Sequence, residues 1–306
     1  MAIDRRRVGL NTHLPSAAQL DRVAAAGCQW IRIDVNMDQI CPEPHVWVWD
    51  VVDRVVKDAT ARQCQIYATL AHQPAWVTRG SGPPEAAFDP WIVFVQAVAE
   101  RYHGRIRYYG IDNEPNAYLT PGQYVTSMLT PAAQVLRGVD PDLKICGPEL
   151  MTEKTDQGSW EKWLEDFAGL VDKTLLDIVT VHSYQKNGRE VWRRVVGPQT
   201  WLMWLKGQQP ISEVLRSCGL GWKPVWLTET GWPTDDVSEA EQASYYDQLL
   251  ESLPNPVAVE KVFGYQAVDE AARDGNPPVR GGIMHEDLTP KPAYHVVQRY
   301  LQPGAV

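Results

Sequence analysis

The chain has 306 residues, 44% of them apolar and 22% charged, with a formal net charge of −9. This length suits one elaborated barrel or two small domains, and the composition supports a large core and argues against disorder. The acidic balance repels phosphate backbones and anionic headgroups, and no stretch reaches the ~20 apolar residues of a membrane span, so neither nucleic acid nor a membrane is expected as a partner.

Short β-branched or aromatic runs alternate with longer amphipathic stretches. The first strand is read at 7–13, and the helix after it, 16–27, opens on Ser16 and stops at Gly27. The second strand, 30–36, precedes a helix at 50–63 with Val at helical spacing. The third, 65–71, precedes a helix at 89–104 that opens on Asp89 and Pro90 and stops at Gly104. Strands four to seven fall at 106–114, 143–149, 177–184 and 224–230; a capped helix at 238–253 then leads to strand eight at 261–268. Eight strand–helix alternations predict an α/β fold, a single (β/α)8 TIM barrel. With no linker and no break in composition, residues 1–306 are read as one catalytic domain.

A barrel of this kind works at the C-terminal ends of its strands. Polar residues gather there: Asn11 and His13, Asp34 and Asn36, His72, Asn113 and Glu114, Glu149, His182 and Tyr184, Glu229, Gln266 and Asp269. Glu114 lies in GIDNEPN and Glu229 in WLTETGWP, at the ends of strands four and seven, nearly across the mouth from one another. Glutamates projecting inward from those strands could approach to about 5 Å, the spacing of a retaining glycosidase pair. Pro115 is expected to hold Glu114 extended, in strand geometry, because a residue before proline avoids the helical region. Gly231 and Pro233 give strand seven a sharp exit, with Trp232 expected at the lip.

Thirteen tryptophans stand against four phenylalanines. Some must fill the core, but the indole N–H resists complete burial, and a surplus fits a cleft whose walls stack on sugar rings. Trp76, after strand three, is well placed for a subsite wall. Trp49 is expected under a helix, and Trp201 and Trp204 in the long loop 191–210 either dock a short helix or form a lid. The five cysteines make no metal-like spacing; a bridge between Cys28 and Cys64 is open. His13, His72 and His182 show no HxH or HxxxH spacing, so no metal and no cofactor are expected. The N-terminus MAIDRRRVGL has no apolar run, which leaves a cytoplasmic protein or an exported one expressed without its leader. A monomer is expected.

The chain resembles the clan A glycoside hydrolases, and within them family 39 and its relatives. The similar segments are GLNTH, WVWDVVDRVVKDA, RYHGRIRYYGIDNEPN, KICGPEL, DIVTVHSY and VWLTETGWP, spread over nearly the whole chain. The resemblance implies that Glu114 is the proton donor and later the base, and that Glu229 attacks the anomeric carbon. It implies that Asn113 bonds the sugar 2-hydroxyl, that Arg32 keeps Glu229 ionised, and that His182 and Tyr184 line the subsite. His13, Glu149 and Gln266 join the candidate substrate contacts through their rim positions. Clan members usually carry a Trp near the end of strand eight; here Gly264, Tyr265 and Gln266 stand there, so the platform falls to Tyr265 or to a Trp from another loop. The expected substrate is a carbohydrate with β-linkages. A bare barrel with an open aromatic groove suits internal cleavage. An exo-acting enzyme, a transglycosidase on the same carboxylates and a non-catalytic carbohydrate-binding barrel are the alternatives.

Overall fold

The structure is a computed structural model that describes residues 3–79, 89–153, 155, 158–198, 200–201, 203, 209–253, 259–272 and 277–302. Eight parallel strands close into a barrel in sequence order: β1 Val8–Asn11, β2 Trp30–Asn36, β3 Gln65–Ala71, β4 Tyr108–Ile111, β5 Lys144–Met151, β6 Ile178–His182, β7 Val225–Thr230 and β8 Val259–Gly264. Pairing of β8 with β1, Gly9 opposite Phe263, closes the sheet and leaves no open edge. This is the expected (β/α)8 TIM barrel.

The helices start where local chemistry directs. Ser16 accepts the Gln19 N–H while the Gln19 side chain returns to Ser16, a reciprocal cap on Ala17–Ala25. Asp89 caps Pro90–Arg101, and Ser238 with Glu241 caps Glu239–Ser252. Gly27, just past the first helix, takes the positive φ of 91° that ends such helices. None of the described helices is long and apolar enough to cross a membrane.

Inside the barrel, side chains stack in two layers of opposite character. The lower layer is aromatic: Trp30, Tyr67, Trp226 and Phe263 pack with Cys146 and Ile178. The Trp30 and Trp226 rings meet edge-on at 5.3 Å. β1 can pass this plug only as glycine, because a Cβ on Gly9 would stand 2.5 Å from the Phe263 ring and 2.9 Å from Trp30 Cβ. The layer above is ionic: Asn11, Arg32, Thr69, Glu149, His182, Thr228 and Glu229 are all buried.

β2 serves both layers by simple alternation, with Trp30 below, Arg32 above and Asp34 at the rim. β5 and β7 do not. With Cys146 and Trp226 facing in, alternation would turn Glu149 and Glu229 outward. Each strand instead takes an extra residue where its register shifts, between Gly147 and Leu150 and between Leu227 and Thr230, and the bulge returns each glutamate to the interior.

Two expectations are corrected here. β4 ends at Ile111, and Glu114 is not extended: its φ of 50° and ψ of 47° are left-handed, opening a short 3-10 turn Pro115–Ala117. Proline bars the right-handed helix for the residue before it, and the chain turns by the other hand. Asp112 fixes that turn by accepting the Asn113 N–H at 2.9 Å and the Tyr118 hydroxyl. The tryptophan surplus goes mainly to the core: Trp30, Trp91, Trp160, Trp163, Trp192, Trp226 and Trp232 are all buried. All five cysteines are free thiols, so Cys28 and Cys64 are not bridged. Trp192 docks its helix by donating to Leu249 O at 2.7 Å, Trp201 is 71% exposed, and Trp204 lies outside the described residues.

Candidate active site

A cavity of about 570 Å³ opens at the C-terminal ends of the strands. Its wall includes His13, Arg32, Asp34, Asn113, Glu114, Glu153, Tyr184, Glu229 and Tyr265. His13, His72, Asp112, Glu114 and Glu149 all take positive φ just past or at strand ends on this rim. Such backbone is strained for non-glycine residues and is held only where the surroundings over-determine it.

Two cations organise the floor. Arg32 Nη1 donates to Glu229 Oε1 at 2.7 Å and Asn11 Oδ1 at 2.8 Å. Its Nη2 donates to Asn113 Oδ1 at 2.7 Å and Glu149 Oε2 at 3.2 Å. The other Glu229 oxygen accepts the Tyr184 hydroxyl at 2.7 Å. His182 lies between two carboxylates, Nδ1 2.8 Å from Glu114 Oε1 and Nε2 2.8 Å from Glu149 Oε2, with Glu229 Oε2 at 3.5 Å from Nδ1. Glu114, Glu229 and His182 each bring one donor atom within 4.8 Å of the other two.

The electrostatics follow from this geometry. Burial disfavours a charged His182, but Glu229, Glu114 and Glu149 outweigh it and raise the imidazole to about 10. Burial raises Glu114, yet the His182 hydrogen bond and charge, with the field of Arg32, hold it below the usual range. Glu149 behaves alike: burial pushes it up, and Arg32, His182 and Thr228 bring it below. For Glu153 burial, with the charge of Glu114 added, outweighs the His182 charge and backbone N–H groups and pushes its carboxyl up. Glu114 and His182 form one hydrogen-bonded pair, and the pair holds a proton.

His13 closes one side of the cavity. Nδ1 lies 2.6 Å from Asp34, and Nε2 lies 2.5 Å from Gln266 Oε1 and 2.9 Å from Glu270. Burial pulls this imidazole down, but Asp34 and Glu270 raise it to about 10. The Tyr265 ring stands edge-on to His13 at 5.6 Å and to Tyr184 at 6.2 Å. Beyond His13, Asp34 and Asn36, which line both, a second cavity of about 510 Å³ continues along β1 and the exit of β8.

Of the residues singled out from sequence, His13, Arg32, Asp34, Asn36, His72, Asn113, Glu114, Tyr184, Glu229 and Tyr265 line one cavity. The others do not reach it. His182 and Glu149 are fully buried beneath its floor, so they support the wall and do not touch a sugar ring. Gln266 is 1% exposed, holds His13 and borders the second cavity. Trp76 is half-buried against the core and donates to Cys41 O at 3.2 Å. Trp232 is not at the lip: it is 4% exposed, packs edge-on to Tyr245 and Tyr246, and donates to Gln185 O at 2.7 Å. Each indole is captured by a carbonyl of another loop, which the local sequence does not reveal. Glu153 is a cavity residue with no sequence signal beyond lying just past the end of β5. His13, His72 and His182 do not converge as metal ligands; the cluster of Glu114, His182 and Glu229 already has Arg32 as its cation.

A closed parallel barrel with two facing glutamates and an arginine on one of them defines a glycosidase type of site. Residues 112–279 match the family described as glycosyl hydrolase catalytic core, which is more than half of the chain, and the chain belongs to that family. Among solved structures it is similar to a family 39 glycoside hydrolase from the gut symbiont Bacteroides cellulosilyticus WH2, at 19% identity and a TM-score of 0.73, covering 99% of this chain and 65% of that one. It is also similar to a GH5_18 protein from Streptomyces cattleya in complex with GlcNAc, at 16% identity and a TM-score of 0.71, covering 98% and 81%. Xylanase 10B from Thermotoga maritima matches at 15% identity with a TM-score of 0.66, covering 97% and 95%. These neighbours belong to clan A, as the resemblance implied, and at such identities they show the fold. No curated protein sequence matches the chain.

Proposed function

We propose that this glycoside hydrolase retains anomeric configuration, with Glu229 as nucleophile and Glu114 as acid/base, and that it cuts internal β-linked bonds of a polysaccharide or oligosaccharide. The observation that carries the reading is the approach of the two carboxylates within 4.8 Å. Retaining enzymes keep the carboxyl groups ~5–5.5 Å apart so that one reaches the anomeric carbon, whereas inverting enzymes leave ~6.5–9.5 Å for a water.

In the first half-reaction Glu229, steered by Arg32 and Tyr184, bonds to the anomeric carbon. The glycosidic C–O bond breaks, and the leaving oxygen takes the proton from Glu114. In the second half Glu114 takes a proton from water, whose oxygen attacks the same carbon and frees Glu229. Asn113 has its oxygen engaged by Arg32, which leaves its amide N–H groups for the sugar 2-hydroxyl. Tyr265 supplies the flat wall. The second cavity supports internal cleavage, since it extends the groove past the reacting sugar on the β1–β8 side.

The test is a panel of defined β-glycans with anomer-resolved NMR and product sizing. The β-anomer forms first, products of several units appear early, and Glu114→Gln and Glu229→Gln each lose about 10³-fold or more in turnover, with azide partly rescuing one. A first-formed α-anomer would overturn retention, and monosaccharide alone would overturn internal cleavage. Unchanged turnover in both variants would remove the site assignment.

A further inference from the structure

Glu149 is the carboxylate of this site that substrate cannot reach, and it is also the most densely bonded. Its Oε2 accepts from His182 Nε2 at 2.8 Å, Thr228 Oγ1 at 2.9 Å and Arg32 Nη2 at 3.2 Å, and its Oε1 accepts the Tyr67 hydroxyl. Its backbone N–H donates to Thr180 Oγ1 at 2.8 Å. A buried carboxylate without such donors would take up a proton or destabilise the barrel. With them it stands as a fixed anion between the aromatic plug and the cavity floor.

Two of these donors continue to the proposed catalytic pair: Arg32 to Glu229, and His182 to Glu114. The imidazole has a carboxylate oxygen 2.8 Å from each nitrogen. Once Nε2–H is committed to Glu149, a hydrogen bond between Nδ1 and Glu114 needs one further proton, carried either as a carboxylic acid facing a lone pair or as a carboxylate facing N–H.

Resting on the acid/base role given to Glu114 above, we propose that Glu149 is a positioning residue for proton transfer. By holding Nε2–H of His182 it makes Nδ1 the resting seat of the proton that Glu114 delivers to the leaving group. During glycosylation that proton moves from Nδ1 to Glu114 and on to the glycosidic oxygen as the C–O bond breaks. His182 is left neutral, still donating from Nε2 to Glu149. During hydrolysis the water proton returns by the same route, so the inventory closes with no other reactant. The groups facing His182 are Glu114 from the turn after β4, Glu149 from β5 and Glu229 from β7. Arg32 from β2, Glu153 after β5 and Tyr184 after β6 are further titratable groups near it among the described residues.

The test pairs imidazole ¹⁵N NMR of His182 with the pH dependence of kcat/KM on an activated aryl β-glycoside. In the unaltered protein both ring nitrogens carry protons through pH 8. In Glu149→Gln the ring loses its second proton between pH 6 and 8. The basic limb of kcat/KM then moves down by about one pH unit or more, kcat falls at least about tenfold, and KM stays within about twofold. A fall in kcat with the basic limb unmoved would reduce Glu149 to a structural part and overturn the proposal. If Glu149→Gln does not fold, the unaltered protein still tests the proposal: a singly protonated His182 ring at pH 7, or a ring whose Nε2 rather than Nδ1 gives up its proton first as pH rises, overturns it, and loss from Nδ1 first upholds it. Glu114→Gln separates the levels. Full turnover in that variant sinks the acid/base reading itself, whereas an inactive Glu114→Gln beside an unmoved limb in Glu149→Gln sinks only this inference.

Discussion

Replacing Arg32 with methionine removes the guanidinium from between two carboxylates while keeping much of its volume. Arg32 is 2% exposed and donates to Glu229 at 2.7 Å and to Glu149 at 3.2 Å. Removing one partner from a buried ionic cluster costs about 3–5 kcal/mol, because the remaining charge stays buried without compensation. A chain of this size unfolds with an entropy of roughly 0.6 kcal/mol/K, so Tm should fall by about 5–8 °C at pH 7. Turnover should fall by about 10²–10³, the usual loss for one preorganised donor in a dry site, since Tyr184 still holds Glu229. The stability loss has a pH signature. Arg32 helps keep Glu114 and Glu149 low; without it they take up protons more readily, and a neutral carboxyl is cheaper to bury. The Tm gap between the two proteins should therefore narrow as pH falls from 7 to 5. Calorimetry across that range with parallel kinetics is the assay, and Arg32→Lys should lie between the two. A Tm loss under about 2 °C at pH 7, or a gap that widens on acidification, would refute the view of Arg32 as the counter-charge of this layer.

Trp232→Ala should act on stability: a buried indole cut to alanine costs about 3–5 kcal/mol, while KM measured well below Tm should change less than about threefold; a tenfold rise in KM at unchanged Tm would return Trp232 to the cleft. Stability should also peak in mildly acidic solution. His13 and His182 are raised from 6.5 to about 10, so their stabilisation is complete below pH 6.5 and fades as pH climbs toward 10. Glu114, Glu149 and Asp34 are depressed, so theirs is present above the ordinary carboxylate range and is lost on further acidification. A Tm that rises from pH 7 to pH 10 in a buffer scan would contradict this ordering.

What the sequence by itself determined is local or periodic. The bounds of β2 and β3 follow from β-branched runs, and the helix starts follow from Ser16, Asp89 and Ser238, whose caps bond within three residues of themselves. Eight such units imply a closed barrel because eight is the number at which parallel strands close on themselves with an interior just wide enough for side chains to fill. Glu114 and Glu229 were legible because acidic residues ending strands four and seven share one rim in that topology.

Tertiary structure decided the rest, wherever the outcome depended on a partner distant in the chain. The strand bulges that turn Glu149 and Glu229 inward arise from register against β6 and β8, which no local alternation encodes. The left-handed turn at Glu114 is fixed in part by Tyr118, and the indoles of Trp76 and Trp232 are drawn away from the cleft by carbonyls at Cys41 and Gln185. His182 and Glu149 read in sequence as rim residues, and only the ionic layer formed with Arg32, Tyr67 and Thr228 shows them as a buried support. Strand periodicity records which side of its own strand a residue takes; burial and charge depend on what the other seven strands place opposite it.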